Sequence, residues 1–264
     1  MLKGIAEVQI RGGDISGTMA TARAIADPII RSFALRDIAK ALAEAGDIAG
    51  AMATVREIAD PGSQSGALSS IAEAQARAGD IAGAMATARD IPDPKSRSWA
   101  LSAIAGAQAR VADRQASART FASALATARG IADPFDRSLT LTLIAKLQAE
   151  AGDIAGAMAT AREIADLEWR SGALSGIAEA QARAGDISGA VATARGIANP
   201  YDRSLALSAI AEAEASARDG INNRLIGMAF EAIDGLTIPN ARAAALARAA
   251  AALASARQES SNAR

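Results

Sequence analysis

The sequence predicts an all-α solenoid of about seven helix-turn-helix units with a 33-residue period, closed by one C-terminal helix. Three observations carry this reading. The stretch AGDIAGAMATAREIAD at residues 151–166 recurs almost unchanged at 45–60, with Val55 where the later copy has Ala161. Self-similarity of this kind is the signature of a repeat protein. Gly-Asp and Asp-Pro dipeptides then punctuate the chain at regular steps. Between them, apolar residues that are mostly alanine recur at helical spacing.

The punctuation defines each unit as helix A, a Gly-Asp turn, helix B, and an Asp-Pro turn into the next helix A. Gly-Asp stands at Gly13-Asp14, Gly46-Asp47, Gly79-Asp80, Gly152-Asp153 and Gly185-Asp186. Glycine tolerates the left-handed conformation that closes a helix, and the following Asp can cap the next one. Asp-Pro stands at Asp27-Pro28, Asp60-Pro61, Asp93-Pro94 and Asp133-Pro134, with Asn199-Pro200 as a variant. Such a pair is an N-cap followed by the residue best suited to the first helical position.

The units run in order over 1–28, 29–61, 62–94, 95–134, 135–167, 168–200 and 201–239, with a closing helix at 240–257 and a flexible tail at 258–264. The first has a shortened helix A without a cap. Asp14, Asp47, Asp80 and Asp113 are 33 residues apart, and so are Asp153, Asp186 and Asp219. The step from Asp113 to Asp153 is 40, because seven extra residues lengthen helix B of the fourth unit. Seven residues are about two turns, so the apolar face keeps its direction. Asp47, Asp80 and Asp113 map onto Asp153, Asp186 and Asp219 with one displacement of 106, which reads as duplication of a three-unit block. By that mapping the seventh unit also has a long helix B.

Within the third unit, helix A aligns Leu68, Ile71, Ala72 and Gln75 on one face, and helix B aligns Ile81, Ala84, Met85 and Ala88. Gly83 and Thr87 are small and a turn apart, which lets a neighbouring helix approach. Hairpins this poor in large side chains cannot bury enough to fold singly; stacked neighbours can.

These units resemble the tetratricopeptide-type repeat, a family of antiparallel helix pairs. Leu68 stands at the family's bulky first position in helix A, Ile71 and Ala72 at its Leu-Gly pair, and Ala84 at its small position in helix B. The chain departs from the pattern at Gln75 and Ala88, which replace aromatics, and in its 33-residue period, against 34 in the family. The resemblance spans nearly the whole chain. It implies a right-handed α-solenoid over 1–257 whose helices A line a concave, ligand-facing side.

Composition narrows the function classes. Half the residues are hydrophobic but 3% are aromatic, so many thin helices pack closely. The net charge of −1 argues against a general nucleic-acid binder, which needs excess positive charge. The chain has no Cys and no His, so it lacks disulfides, thiolates and the commonest general base and metal ligand. No cofactor motif is present: Gly12-Gly13 lacks the phosphate-loop spacing and its Lys. The bias toward Arg and Ala fits a GC-rich bacterial genome. No signal peptide and no apolar run of about 20 residues is seen, so a cytoplasmic protein without membrane contact is expected.

Candidate binding residues lie on helix A. Lys40 and Glu44, Glu73 and Arg77, Lys146 and Glu150, and Glu179 and Arg183 are i,i+4 pairs of alternating sign. Because the signs reverse between units, Lys40 can meet Glu73 and Lys146 can meet Glu179. Either the pairs form a self-satisfied ladder that sets stacking register, or they line a polar groove for a peptide. Phe33 and Trp99 share one helix A position, held elsewhere by Gly66, Leu139, Gly172 and Leu205. There they either anchor a partner or fill gaps between units. Arg36 and Arg110 complete the concave-face set. Trp169 and Tyr201 read as junction packing. An Arg-Ser step opens helix A at Arg31, Arg97, Arg137, Arg170 and Arg203. A cation near a helix N-terminus is unfavourable by itself, so turn aspartates such as Asp133 or Asp136 are expected to compensate, with an anion site as the other reading.

The expected function is a non-catalytic scaffold that binds a protein or peptide. Two alternatives stand beside it: head-to-tail self-assembly into an oligomer or filament through apolar solenoid ends, and a small-molecule or catalytic site hidden from sequence.

Overall fold

A computed structural model describes residues 15–111 and 113–218. The expected first helix A, the Gly13-Asp14 turn, the repeat from Asp219 onward, the closing helix at 240–257 and the tail at 258–264 lie outside them. The described residues form twelve α-helices and no strand. The helices are α1 (Ile15–Arg23), α2 (Pro28–Glu44), α3 (Ile48–Val55), α4 (Pro61–Arg77), α5 (Ile81–Arg89), α6 (Pro94–Arg110) and α7 (Arg114–Arg129), then α8 (Pro134–Glu150), α9 (Ile154–Glu163), α10 (Leu167–Arg183), α11 (Ile187–Arg195) and α12 (Pro200–Arg218). They fall into two compact units, divided between Asp133 and Pro134.

Within each unit the same packing recurs. Helix A packs on its own helix B and on the next helix A of its unit: α2 meets α3 and α4, α4 meets α5 and α6, α8 meets α9 and α10, and α10 meets α11 and α12, while α6 meets its helix B, α7. This is the consecutive stacking of an α-helical solenoid. Helix B of the fourth repeat, α7, has 16 residues against nine in α5, so the inserted seven do lengthen it.

The turns work as their residues dictate. Gly46, Gly79, Gly152 and Gly185 have φ of 85–89°, the left-handed region that costs other residues a Cβ clash. Beyond Gly79, the Asp80 amide donates to the Gln75 carbonyl at 2.9 Å, closing α4, while the Asp80 carboxylate accepts from the Gly83 amide at 2.9 Å and opens α5. One residue thus ends one helix and starts the next. At the other turn, the Asp93 carboxylate accepts from the Ser96 amide at 2.8 Å, and Pro94 holds the first helical position. Leu167 replaces that proline in α10, yet Asp166 still caps it through Glu168 and Trp169.

Alanine makes the seam. Ala178, Ala190, Ala194 and Ala206 are fully buried and pack with Ile197, Leu207 and Ile210 between α10, α11 and α12. The faces expected from sequence bury Leu68, Ile71, Ala72, Gln75, Ala84 and Ala88. With no Cγ to separate them, the backbones approach closely, and larger side chains would overpack the seam.

A polar lock crosses each of four hairpins. Thr87 Oγ1 donates to Gln75 Oε1 at 2.7 Å, and Gln75 Nε2 donates to Asp80 Oδ2 at 3.3 Å. The same bond joins Thr120 to Gln108, Thr160 to Gln148 and Thr193 to Gln181, at 2.6–2.8 Å. All four glutamines are buried. Gln75 is therefore a bonded polar bridge, and Thr87 is a donor, beyond being small. Gly83 belongs to the lock as well: a Cβ there would collide with the Asp80 carboxylate and come within 2.5 Å of Gln75 Nε2.

Three of the five Arg-Ser arginines find carbonyls. Arg31 donates to the Ile25 carbonyl, Arg97 to those of Ile91 and Pro92, and Arg203 to that of Ile197, over 2.8–3.3 Å. Each spans back about six residues to the end of the preceding helix B, where the dipole is negative.

Candidate functional site

The helix A faces of the second compact unit enclose a cavity of about 190 Å³. It is lined by Lys146 and Glu150 from α8, Gly172, Ser175, Gly176, Glu179 and Arg183 from α10, and Asp202 and Leu205 from α12. Two glycines one turn apart make room for it. A Cβ on Gly172 would meet nothing within 4 Å. A Cβ on Gly176 would strike the Lys146 stem, with Cγ at 2.6 Å and Cε at 2.9 Å. The lysine chain lies across that bare backbone, so its ammonium is carried along the cavity wall.

The charges are unevenly satisfied. Arg183 Nη2 lies 3.9 Å from Glu150 Oε1, and Arg183 Nε donates to the Glu179 carbonyl at 3.4 Å. Ser175 Oγ is 3.4 Å from both Glu179 Oε1 and the Asp202 carbonyl oxygen. Among the described residues, no hydrogen bond or ion pair reaches the Lys146 ammonium or the Asp202 carboxylate. Asp202 is half-buried, and that burial pushes its carboxyl above the usual range; the Lys146 charge opposes the rise and the Glu168 charge adds to it.

The expected site residues divide between the two compact units. Lys146, Glu179 and Arg183 come together on the α8–α10–α12 cavity. Phe33, Arg36, Lys40, Glu73, Arg77, Trp99 and Arg110 lie in the first unit. There Lys40 Nζ is 3.9 Å from Glu44 Oε1, and Arg77 Nη2 is 3.4 Å from Glu73 Oε1, both within one helix. The pairings expected between repeats, Lys40 with Glu73 and Lys146 with Glu179, are not the ones formed; the rung between α8 and α10 is Glu150 with Arg183. A second inter-helix pair, Arg23 with Glu57 at 2.7 Å, holds the Glu57 carboxyl below its usual range through the hydrogen bond from the guanidinium, against some desolvation. Nothing in the spacing of the sequence announces that pair.

The aromatic position is used in two ways. Phe33 is 37% exposed with the Arg36 guanidinium 5.3 Å from its ring centre, and Arg36 also bonds Asp37 at 2.9 Å. Ile29 and Ile30 are exposed just before it. Trp99 turns inward: its indole N–H is buried without a hydrogen-bond partner, and the Lys95 ammonium sits 5.3 Å from the ring centre. Arg110 is exposed in the last turn of α6. Trp169 packs edge-on against Phe135 at 5.4 Å, as junction packing requires.

Sequence reasoning missed Ser175, Gly176 and Asp202 as site residues. The signal was there to read: glycine at both 172 and 176 costs an exposed helix about 1 kcal/mol each relative to alanine, so their pairing in α10 needed a reason.

Among the described residues, no group of three His, Cys, Asp or Glu side chains is placed to hold a metal ion, and no helix is long and apolar enough to cross a membrane. No family model matches the chain, and no curated protein does. Among solved structures, Ton1535 from Thermococcus onnurineus NA1 aligns over 94% of this chain and 99% of its own, at 16% identity and a TM-score of 0.35. That likeness is too loose to bear on fold or function.

Proposed function

We propose that the protein is a non-catalytic helical-repeat scaffold that binds an extended peptide segment along the helix A face. The observation that carries this reading is the cavity on α8, α10 and α12. At about 190 Å³ it is smaller than the ~300–1,000 Å³ of small-molecule and cofactor sites. It suits one side chain of a longer ligand whose main chain runs over Gly172. The Ser and Glu groups around it offer both donors and acceptors to such a chain.

The test is selection of binders from a random displayed peptide library against the full chain, then measurement on Gly172→Trp. An added Cβ at 172 meets nothing within 4 Å, and α6 carries Trp99 at the equivalent position, so an indole is compatible with the helix there and bulky enough to obstruct the groove. Selected peptides are expected to lose at least about tenfold in affinity, the loss that ~1.4 kcal/mol represents. Peptides that bind both forms equally would refute the assignment of this face. Light scattering that grows with concentration in the absence of peptide would favour the self-assembly reading instead.

A further inference from the structure

We infer that the cavity on α8, α10 and α12 selects a cationic side chain, Lys or Arg, in the bound peptide. The inference rests on the peptide-binding reading and names the residue that the cavity takes.

The balance of charge decides the sign. The walls carry two cations, Lys146 and Arg183, and three carboxylates, Glu150, Glu179 and Asp202. Arg183 is engaged by Glu150 and by the Glu179 carbonyl. The Lys146 stem is laid over Gly176, and its ammonium closes no ion pair with Asp202. Asp202 thus stays half-buried with a carboxylate that no described residue bonds, and Glu168 adds further negative potential there. A guanidinium or ammonium entering the cavity would give Asp202 its missing partner and bring the walls to neutrality. An entering carboxylate would raise an excess that is already uncompensated. A half-buried charge without a bonded partner is a group whose pairing discriminates between ligands.

The duplicated block supplies an internal comparison. Displaced by 106, Lys146, Glu150, Gly172, Glu179 and Arg183 correspond to Lys40, Glu44, Gly66, Glu73 and Arg77, but Asp202 corresponds to Ser96. The first compact unit keeps the ladder and lacks the extra carboxylate. Its counterpart of Gly172 is also covered, since a Cβ on Gly66 would sit 3.4 Å from Arg36 Cδ. Cation selection is therefore private to the second unit.

The experiment uses the full chain and the library-selected peptides. Their sequences are expected to be enriched in Arg or Lys at one position. Replacing that Arg by citrulline, which keeps the shape and removes the charge, is expected to weaken binding to the wild type at least about tenfold, as the loss of one charge pair would. On Asp202→Asn, the two peptides are expected to bind within about twofold of each other, because the charge they differ by has lost its partner. Citrulline needs no change to the protein, so misfolding of a variant cannot decide the result; circular dichroism checks Asp202→Asn. Enrichment in Asp or Glu, or equal binding of the citrulline peptide to the wild type, would overturn the inference while leaving a peptide scaffold in place. Selection that yields no binder at all would overturn both.

Discussion

The hairpin lock makes a prediction that depends on which partner is removed. Thr160 Oγ1 donates to Gln148 Oε1 at 2.6 Å, and both residues are nearly fully buried, at 1% and 3% exposed. Thr160→Val keeps the shape and deletes the donor. It strands a buried carboxamide oxygen, which costs about 1–3 kcal/mol. Gln148→Leu deletes the acceptor instead. The second repeat already carries that arrangement, with Leu42 at the glutamine position. There Thr54 Oγ1 turns to the Gly50 carbonyl of its own helix at 2.9 Å. Thr160 can turn to the Gly156 carbonyl in the same way, so Gln148→Leu loses a hydrogen bond without stranding a group. Its cost is expected to stay below about 1 kcal/mol, since a net hydrogen bond contributes ~0.5–1.5 kcal/mol and the new leucine adds apolar burial. The double variant is expected to cost less than Thr160→Val alone. Urea titration monitored by far-UV circular dichroism measures all three, and hydrogen exchange in α8 and α9 localises the effect, since repeat arrays need not unfold in one step. Equal costs for the two single changes, or strict additivity in the double, would refute the lock.

Other outcomes come from the same geometry. Gly152→Ala is expected to cost about 1–2 kcal/mol, because φ of 85° is left-handed and an added Cβ meets nothing, so the penalty is conformational alone. Gly156→Ala is expected to cost less than half of that in the same urea titration, because the atoms its Cβ would meet are the movable ends of Asp153 and Gln148, which can swing aside. α7 already carries Ala116 at the equivalent site, and Asp113 still accepts from its amide at 3.0 Å. For Asp202 the sign is opposite to the usual carboxylate. Burial raises its folded-state pKa, so ionisation opposes folding above that raised value, and the penalty disappears as pH falls through it toward the unfolded pKa. Asp202→Asn is therefore expected to raise the melting temperature at pH 7, with the gap to wild type closing on acidification; a lower melting temperature at pH 7 would contradict this. Arg97→Met is expected to cost about 1.5–3 kcal/mol, the range for a hydrogen bond to a charged group, because the carbonyls of Ile91 and Pro92 lose their donor.

What could be read from the sequence was what local rules decide. Gly79 needs a left-handed turn and Asp80 needs only the next three amides, so helix boundaries came from neighbours in the chain. The alanine seam came from periodicity. The lock did not, because Gln75 takes its shape from Thr87 across a turn, and propensity is silent about partners twelve residues on. A constant spacing carried the signal, in Gln75–Thr87, Gln108–Thr120, Gln148–Thr160 and Gln181–Thr193. The salt-bridge ladder went astray for a related reason. Long exposed side chains choose among several partners at little energetic difference, so Arg183 reaches back to Glu150 on the preceding helix A while Arg77 stays with Glu73 on its own.

The cavity stands out against this background because its residues oppose local rules that the rest of the chain obeys. Gly172 and Gly176 sit within a 17-residue helix, where intrinsic propensity favours alanine by about 1 kcal/mol each, although at 176 an added Cβ would meet the Lys146 stem. Ala103 and Ala209 hold the place of Gly176 in two other repeats, so the better residue was within easy reach. Asp202 is a half-buried carboxylate that no described residue bonds, while Ser96 fills that place in the first block. Gly176 makes room for the Lys146 stem, but Gly172 and Asp202 are two unfavourable choices on one face that no packing contact explains. Filling Gly172, above which space is open, and neutralising Asp202 would each remove an unfavourable choice and close the groove. Agreement between local preference and fold is the rule for a stable sequence, and its concentrated breach is where binding is to be sought.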